Sequence, residues 1–328
     1  MNIVKGGNSI RIYSILPLLA LVACVSSDRT TPKRVDDIAV APGNSISFNK
    51  SDIKANKLFG AKSKPSRQSP AAIGSYAKGC LAGGEALPES GPTWQAMRLS
   101  RNRNCGHPET IQFLKDLSVK AAEELDWAGL YIGDISQPRG GPMLSGHQSH
   151  QMGLDADIWL YKPTRLNLTR GEREKLSSTN VRAKSQRTVN RNWSQQHANI
   201  LKAAAQDPRV DRIFITPPVK VWLCENILGN RSWLQKIRPF YGHNTHFHVR
   251  LKCPKNLKGC VTQKPTVAKI SNGGDGCDKT LQWWVTDYLN PPKMKLSKKP
   301  KRKKKKRGAR QYTMADLPRK CQSVFASD

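Results

Sequence analysis

The pattern of apolar and polar positions divides the chain into short strands and helices. Residues 154–161 alternate, with Asp155, Asp157 and Trp159 on one face of a strand and Ala156, Ile158 and Leu160 on the other. Residues 246–251 alternate again, so His246 and His248 share one face while Phe247 and Val249 point into a core. Residues 210–216 read as a third strand, and residues 127–135 alternate enough for a fourth. Helical spacing lies between them. From Pro108 to about residue 125, the positions Ile111, Leu114, Leu117 and Ala121 mark a buried stripe, with Pro108 and Glu109 suited to the first turn. Residues 194–206 predict a second helix with Ile200, Leu201, Ala204 and Ala205 inward. Pro217 and Pro218 end a strand and start a third helix that runs through Ile227. Short helices are expected over residues 233–237 and 281–289, the latter with Trp283 and Trp284 packed on the core. Residues 137–142 are a turn, and residues 164–192 a basic, polar surface connection. The fold class expected is α+β: a small antiparallel sheet with flanking helices.

The ends of the chain do not carry this pattern. Lys5 and Arg11 precede an apolar run over residues 12–23, which reads as a secretory signal and is too short to span a bilayer comfortably. Leu21-Val22-Ala23-Cys24 reads as a lipobox with Cys24 the lipidated residue; ordinary cleavage after Ser26 is the alternative. Residues 25–75 are polar and read as a tether. The expected organisation is then a signal over residues 1–24, the linker over 25–75, a catalytic domain over 76–290, a Lys-rich run over 291–311 and a C-terminal segment over 312–328. The formal charge of +31 is concentrated in that run, where residues 293–310 hold lysines and arginines and no acid, so it should repel itself and stay disordered. In an exported protein such charge meets lipid headgroups and wall carboxylates, and the signal and cysteines argue against nucleic acid as a partner. Besides Cys24 there are Cys80, Cys105, Cys224, Cys253, Cys260, Cys277 and Cys321, so disulfides are expected in an exported chain, with a connectivity that sequence alone does not fix.

The candidate chemistry sits in two windows that carry histidines, one in a turn before the first strand and one on the second. Before the first strand, His147 and His150 lie in a turn that Gly153 lets tighten, and Asp157 follows six intervening residues after His150. A turn histidine and a strand carboxylate can share a first-row metal such as Zn2+. The third ligand would come from His243-Asn244-Thr245-His246-Phe247-His248, and spacing does not decide between His246 and His248. A single strand histidine is more often a hydrogen-bonded residue than a ligand. Both windows together, with a carboxylate at strand spacing, point to a metal. Three protein ligands and one open position describe a catalytic zinc in a groove on the sheet. Arg98, Arg101 and Arg103, close to His107, either bind substrate carboxylates or form a surface basic patch.

His150-x6-Asp157 followed by His246-x-His248 resembles the zinc peptidases grouped with lysostaphin, the D-Ala-D-Ala peptidases and the hedgehog amino-terminal domain. Within that group, the run from His147 through Gly153-Leu154-Asp155 to Ile158, and that from His243 through His248-Val249-Arg250-Leu251 to Cys253-Pro254, resemble the penicillin-insensitive murein endopeptidase family. The resemblance spans about residues 79–284, with Cys321 as an outlier. Gln148 departs from the D-Ala-D-Ala peptidases, which carry Ser two residues before the first ligand, and this favours the endopeptidase branch. The resemblance implies that His150, Asp157 and His248 hold zinc and that His246 is the general base. His243 is implied to be catalytic and, with His147, to line the cleft, where one of them stabilises the oxyanion. Asp155 either supports a ligand or is simply hydrogen-bonded in the sheet. Disulfides Cys80–Cys321, Cys224–Cys277 and Cys253–Cys260 are implied, which leaves Cys105 over. Val25 after Cys24 implies an outer-membrane anchor in the periplasm. The substrate implied is peptidoglycan, cut at the D-alanyl to meso-diaminopimelyl crosslink. The alternative is a non-catalytic protein on the same zinc fold that binds peptidoglycan or an anionic surface.

Overall fold

The computed structural model describes residues 53–291 and 307–327. The expected signal, the Cys24 lipidation site, the first part of the linker and most of the Lys-rich run lie outside the described residues. In chain order the strands are β1 (Ala71–Ser75), β2 (Lys78–Ala82), β3 (Glu85–Ala86), β4 (Trp94–Ala96), β5 (Cys105–Gly106), β6 (Leu130–Ile132), β7 (Asp155–Trp159), β8 (Val210–Ile215), β9 (Ile237–Pro239) and β10 (His246–Leu251). The helices are α1 (Ala55–Gly60), α2 (Pro108–Glu124), α3 (Arg170–Lys175), α4 (Gln195–Gln206), α5 (Pro217–Asn226), α6 (Val267–Ile270) and α7 (Lys320–Ala326).

The main sheet has the order β4-β6-β7-β10-β8-β9. Its centre is antiparallel, as the pattern predicts, and the outer pairs β4–β6 and β8–β9 run parallel. The register between β7 and β10 sets His248 opposite Asp157 and Arg250 opposite Asp155. The period of two then works as expected. Ala156, Ile158, Phe247, Val249 and Leu251 are buried in the main core with Ile111, Leu114 and Leu117 of α2 and Ile200 and Leu201 of α4. Each Leu, Ile, Val or Phe side chain so withdrawn from water contributes roughly 1.5–3 kcal/mol. The opposite face of the same two strands is left to the histidines and carboxylates. α2 starts where sequence puts it: His107 precedes Pro108, and its Nδ1 accepts from the Glu109 N–H at 3.3 Å.

Four expectations change. The linker does not extend through residue 75. α1 and β1 belong to a second apolar cluster, in which Ala55, Phe59 and Ile73 pack with Cys80, Ala82, Leu317, Cys321 and Val324. The sparse apolar positions of α1 gave no stripe, because they are matched to residues far away in the chain. The strand expected over residues 127–135 is regular only across Leu130–Ile132: Gly129, at φ +142°, turns the backbone before it, and beyond it Gly133 and Asp134 keep single backbone bonds to Asp157. Residues 233–237 form a tighter 3-10 turn over Ser232–Lys236. The helix expected near residue 281 is a 3-10 segment, Lys279–Val285, whose Leu281 and Val285 are buried while Trp283 is 46% exposed, so Trp283 is not a core residue.

Disulfides join Cys80 to Cys321, Cys224 to Cys277 and Cys253 to Cys260, as the resemblance implies. Cys105 is a free, buried thiol, and burial raises its pKa to about 11. The C-terminal segment is thus tied back onto β2.

Candidate metal centre

The turn before β7 is strained at the residue that matters. His150 sits at φ +64°, a left-handed conformation uncommon for a side-chain-bearing residue. Its N–H donates to Asp155 Oδ2 at 2.9 Å, which holds the turn closed. Gly153, at φ +70°, cannot be replaced cheaply: a Cβ there would lie 2.8 Å from the His107 backbone N and 2.7 Å from Leu81 Cδ2. The turn therefore puts His150 over the polar face of β7.

Hydrogen bonds fix which nitrogen each histidine presents. His150 Nδ1–H donates to the Ile135 carbonyl at 2.6 Å, leaving Nε2 as a lone pair. His248 Nε2–H donates to Asp155 Oδ1 at 2.9 Å, leaving Nδ1 as a lone pair. Asp155 is itself held by Arg250 Nε at 2.7 Å. Burial alone would favour its neutral acid, but Arg250 and His248 hold it well below the usual carboxylate range. Asp155 is thus more than a sheet residue, because it orients the His248 ring.

The two lone pairs meet one carboxylate oxygen. His150 Nε2 is 3.2 Å from His248 Nδ1, Asp157 Oδ1 is 3.3 Å from His248 Nδ1, and it is 3.4 Å from His150 Nε2. Asp157 Oδ1 is buried and has no hydrogen-bond partner. An orphaned carboxylate oxygen facing two imidazole lone pairs is costly as it stands. Donors about 3.3 Å apart are what a tetrahedral ion with bonds of about 2.0–2.1 Å brings together, so these residues fit a metal. Burial opposes ionisation of Asp157, but His246, His147 and His150 hold its pKa well below the ordinary value. Burial likewise opposes charge on His150, and Asp157 outweighs it to raise that pKa.

A second grouping overlaps the first: His147, His150 and Asp157 also present ligand atoms within 4.8 Å of one another. The set with His248 is the tighter one. His147 Nε2 lies 3.0 Å from Asp134 Oδ2 and 3.4 Å from Asp157 Oδ2, so its donor is engaged by carboxylates. His246 Nε2 lies 3.5 Å from Asp157 Oδ2, beside the ligand atoms and not among them. Burial, followed by the neighbouring histidines, lowers the His246 pKa despite Asp157. His243 turns its Nδ1–H toward the carbonyls of Phe240 and Tyr241, at 3.3 and 3.2 Å, and so offers the cleft an acceptor. Burial and the neighbouring His248 and His246 lower its pKa to about 3. Oxyanion donation therefore does not suit this tautomer of His243.

The cleft has two unlike sides. One cavity, about 300 Å³, is lined by Arg98, Arg101, Asp134, His147, Trp159 and His246. The other, about 390 Å³, is lined by Phe214, Phe240, His243, His248, Arg250 and Gln263. A larger cavity of about 620 Å³ beside α3 holds none of the histidines. Sequence reasoning missed Asp134, which accepts from Arg101 Nη1 at 3.1 Å and Arg103 Nη1 at 2.9 Å as well as contacting His147. Burial would raise its pKa, but His147 and the two guanidinium groups keep it well below the usual range. Arg103 is therefore buried in the site, while Arg101 pairs with Asp134 and keeps a side chain 47% exposed. The only sequence signal of Asp134 was a lone Asp after the apolar run 130–132. Arg250 was also missed, although its alternation placed it on the histidine face.

The family model described as Penicillin-insensitive murein endopeptidase matches residues 72–326. The chain is 46% identical over 224 residues to a protein of that name from Haemophilus influenzae, covering 67% of this chain and 74% of the relative. It is 39% identical over 228 residues to one from Yersinia enterocolitica, covering 68% and 79% respectively. It is 36% identical over 257 residues to one from Salmonella paratyphi B, covering 77% and 85%. The match takes in the His147–His150 turn, β7 with Asp157, β10 and all three disulfides, and the chain belongs to the penicillin-insensitive murein endopeptidase family.

Proposed function

We propose that this chain is a zinc endopeptidase that hydrolyses the D-alanyl to meso-diaminopimelyl crosslink of peptidoglycan. The observation that carries the reading is the unpartnered Asp157 Oδ1 set 3.3 and 3.4 Å from two imidazole lone pairs. His150, Asp157 and His248 hold the metal, and Asp155 keeps the His248 ring in its donating tautomer. When bound, the zinc supplies Lewis acidity toward a water and the scissile carbonyl. His246, neutral because burial lowers its pKa, accepts the proton of the attacking water and returns it to the leaving amine. Asp134 holds His147 at the edge of the cleft, and Arg98 and Arg101 give that side a positive wall for the carboxylates of the crosslinked peptide. A cleft open on both sides of the ligands suits a branched polymer. The chain would act in the periplasm, with Cys24 as an outer-membrane anchor.

The test is digestion of purified crosslinked muropeptides, read by mass spectrometry with and without a chelator. The proposal expects dimers converted to monomers by breakage of the D-alanyl amide, loss of turnover with chelator and recovery with zinc. Intact dimers at stoichiometric enzyme, with metal present, would sink it.

A further inference from the structure

We infer that the exposed aromatic cluster beside the cleft is a subsite for the glycan strand of the substrate, an inference that rests on the peptidoglycan reading above. Tyr241, Trp284 and Tyr288 form a ring cluster, with Tyr241 stacked on Tyr288 at 4.4 Å and 14° and Tyr288 on Trp284 at 5.5 Å and 27°. Trp283 stands edge-on to both Trp284 and Tyr288, with centroids 5.3 Å away. Trp283 and Tyr288 are each 46% exposed.

Large aromatic faces left in water are costly unless something covers them. Here they are also held still. Leu281 and Val285 anchor the segment in the protein, Cys224–Cys277 ties its start to α5, and Tyr241 O–H donates to the Trp284 carbonyl at 2.5 Å. A fixed platform loses little entropy when a ligand lands on it. The platform adjoins the cleft through the Tyr241 backbone: the Tyr241 carbonyl accepts from His243 Nδ1–H at 3.2 Å, and the preceding residue, Phe240, lines the cavity with His243 and His248.

The chemistry of the surface selects its occupant. The exposed residues next to the rings in the chain are polar, Gln282, Thr286, Asp287 and Asn290, and Arg182 lies over the Tyr241 ring at 5.8 Å. Flat apolar faces edged by amide and hydroxyl groups match a pyranose, whose C–H face is apolar and whose rim carries hydroxyls and an N-acetyl group. A second copy of the chain fits less well. Two exposed rings offer at most roughly 300–500 Å², against roughly 800 Å² per partner in a stable interface. Peptidoglycan carries its crosslinked peptides on strands of N-acetylated amino sugars, so a glycan subsite close to the cleft would fix where along a strand the peptide enters.

The experiment compares wild type, Trp283→Ala/Tyr288→Ala and Trp283→Phe on two substrates: crosslinked fragments carrying several disaccharides, and the same crosslinked peptides stripped of sugar. The double variant should lose kcat/KM by about 10-fold on the glycan-bearing substrate, as expected for lost aromatic contacts, and keep it on the stripped one. Trp283→Phe, which keeps both aromatic faces, should retain most of the wild-type value. Peptide-free glycan strands should perturb the tryptophan fluorescence of wild type and not of the double variant. That titration needs no turnover, so it decides the subsite even where the endopeptidase reading fails. Equal losses on both substrates, no loss on either, or a fluorescence signal that ignores glycan would overturn the inference. So would a concentration-dependent dimer that Trp283→Ala abolishes.

Discussion

The β7–β10 centre and the layer stapled by Cys80–Cys321 are both buried, and they are held by opposite means. At the centre, Asp155, Asp157, His150, His248 and Arg250 are withdrawn from water together. Buried charges are tolerable only where each meets a partner, and here one oxygen, Asp157 Oδ1, meets none without an ion. Among the described residues the stapled layer holds no such cluster of charges, although Asn56 Oδ1 of α1 is also buried without a hydrogen-bond partner. The layer is a small apolar cluster of α1, β1, β2 and α7, closed by a disulfide across 241 residues. Yet the two touch. Arg139 donates to the carbonyls of Val324 and Phe325, and the next residues meet the metal turn, where the Gly141 N–H donates to the Gln151 carbonyl at 2.8 Å. Gln151 in turn accepts from the Gly79 N–H at 3.2 Å through its side chain. The difference teaches that chemistry was placed where charge could be matched, and stability was gathered where it needed no charge.

Changes at the centre should therefore cost activity, and changes in the stapled layer should cost stability. The largest effect is expected for His246→Ala, about 10²–10⁴-fold in kcat on crosslinked muropeptides with metal retained. Asp155→Asn should follow, weakening metal affinity by roughly 10–100-fold because the His248 ring loses its carboxylate; competition with a fluorescent chelator measures it. In the stapled layer, Cys321→Ser should lower unfolding free energy by about 2–5 kcal/mol in urea, with turnover per folded molecule close to wild type. A matching collapse of turnover would show that the Arg139 and Gln151 contacts couple the two regions more tightly than the comparison allows. The smallest effect concerns His107, whose pKa burial lowers to about 4. The unfolded chain takes up this proton near pH 6.5 and the folded one does not, so the associated stability is complete above 6.5 and is lost as pH falls toward 4. His107→Asn keeps a cap and should remove that slope, on the order of 2 kcal/mol, in denaturation curves at pH 7 and pH 4.5.

The two regions were also unequally legible. A period of two over residues 154–161 and 246–251 gives both strands and both faces, because the signal is local. It leaves His246 and His248 equivalent, since both lie on one face; the bond from His248 Nε2–H to Asp155 separates them, and that bond spans 93 residues. Asp134 showed only as a lone Asp after an apolar run, and nothing near it in the chain announces Arg101, Arg103 or His147. The disulfide pairing came from family resemblance and not from spacing. α1 looked like linker because Phe59 finds its neighbours at Leu317, Cys321 and Val324. Trp283 looked like core because it sits in a short apolar helical stretch, and the composition of that stretch does not report which aromatic is left facing water.

The central claim is that His248, and neither His246 nor His147, completes the metal site with His150 and Asp157. Zinc content by elemental analysis of purified wild type, His248→Ala, His246→Ala and His147→Ala tests it most directly. The account predicts one bound zinc in wild type, retention in the His246 and His147 variants, and loss in the His248 variant. Zinc retained by His248→Ala, or lost equally from the His246 and His248 variants, would contradict it.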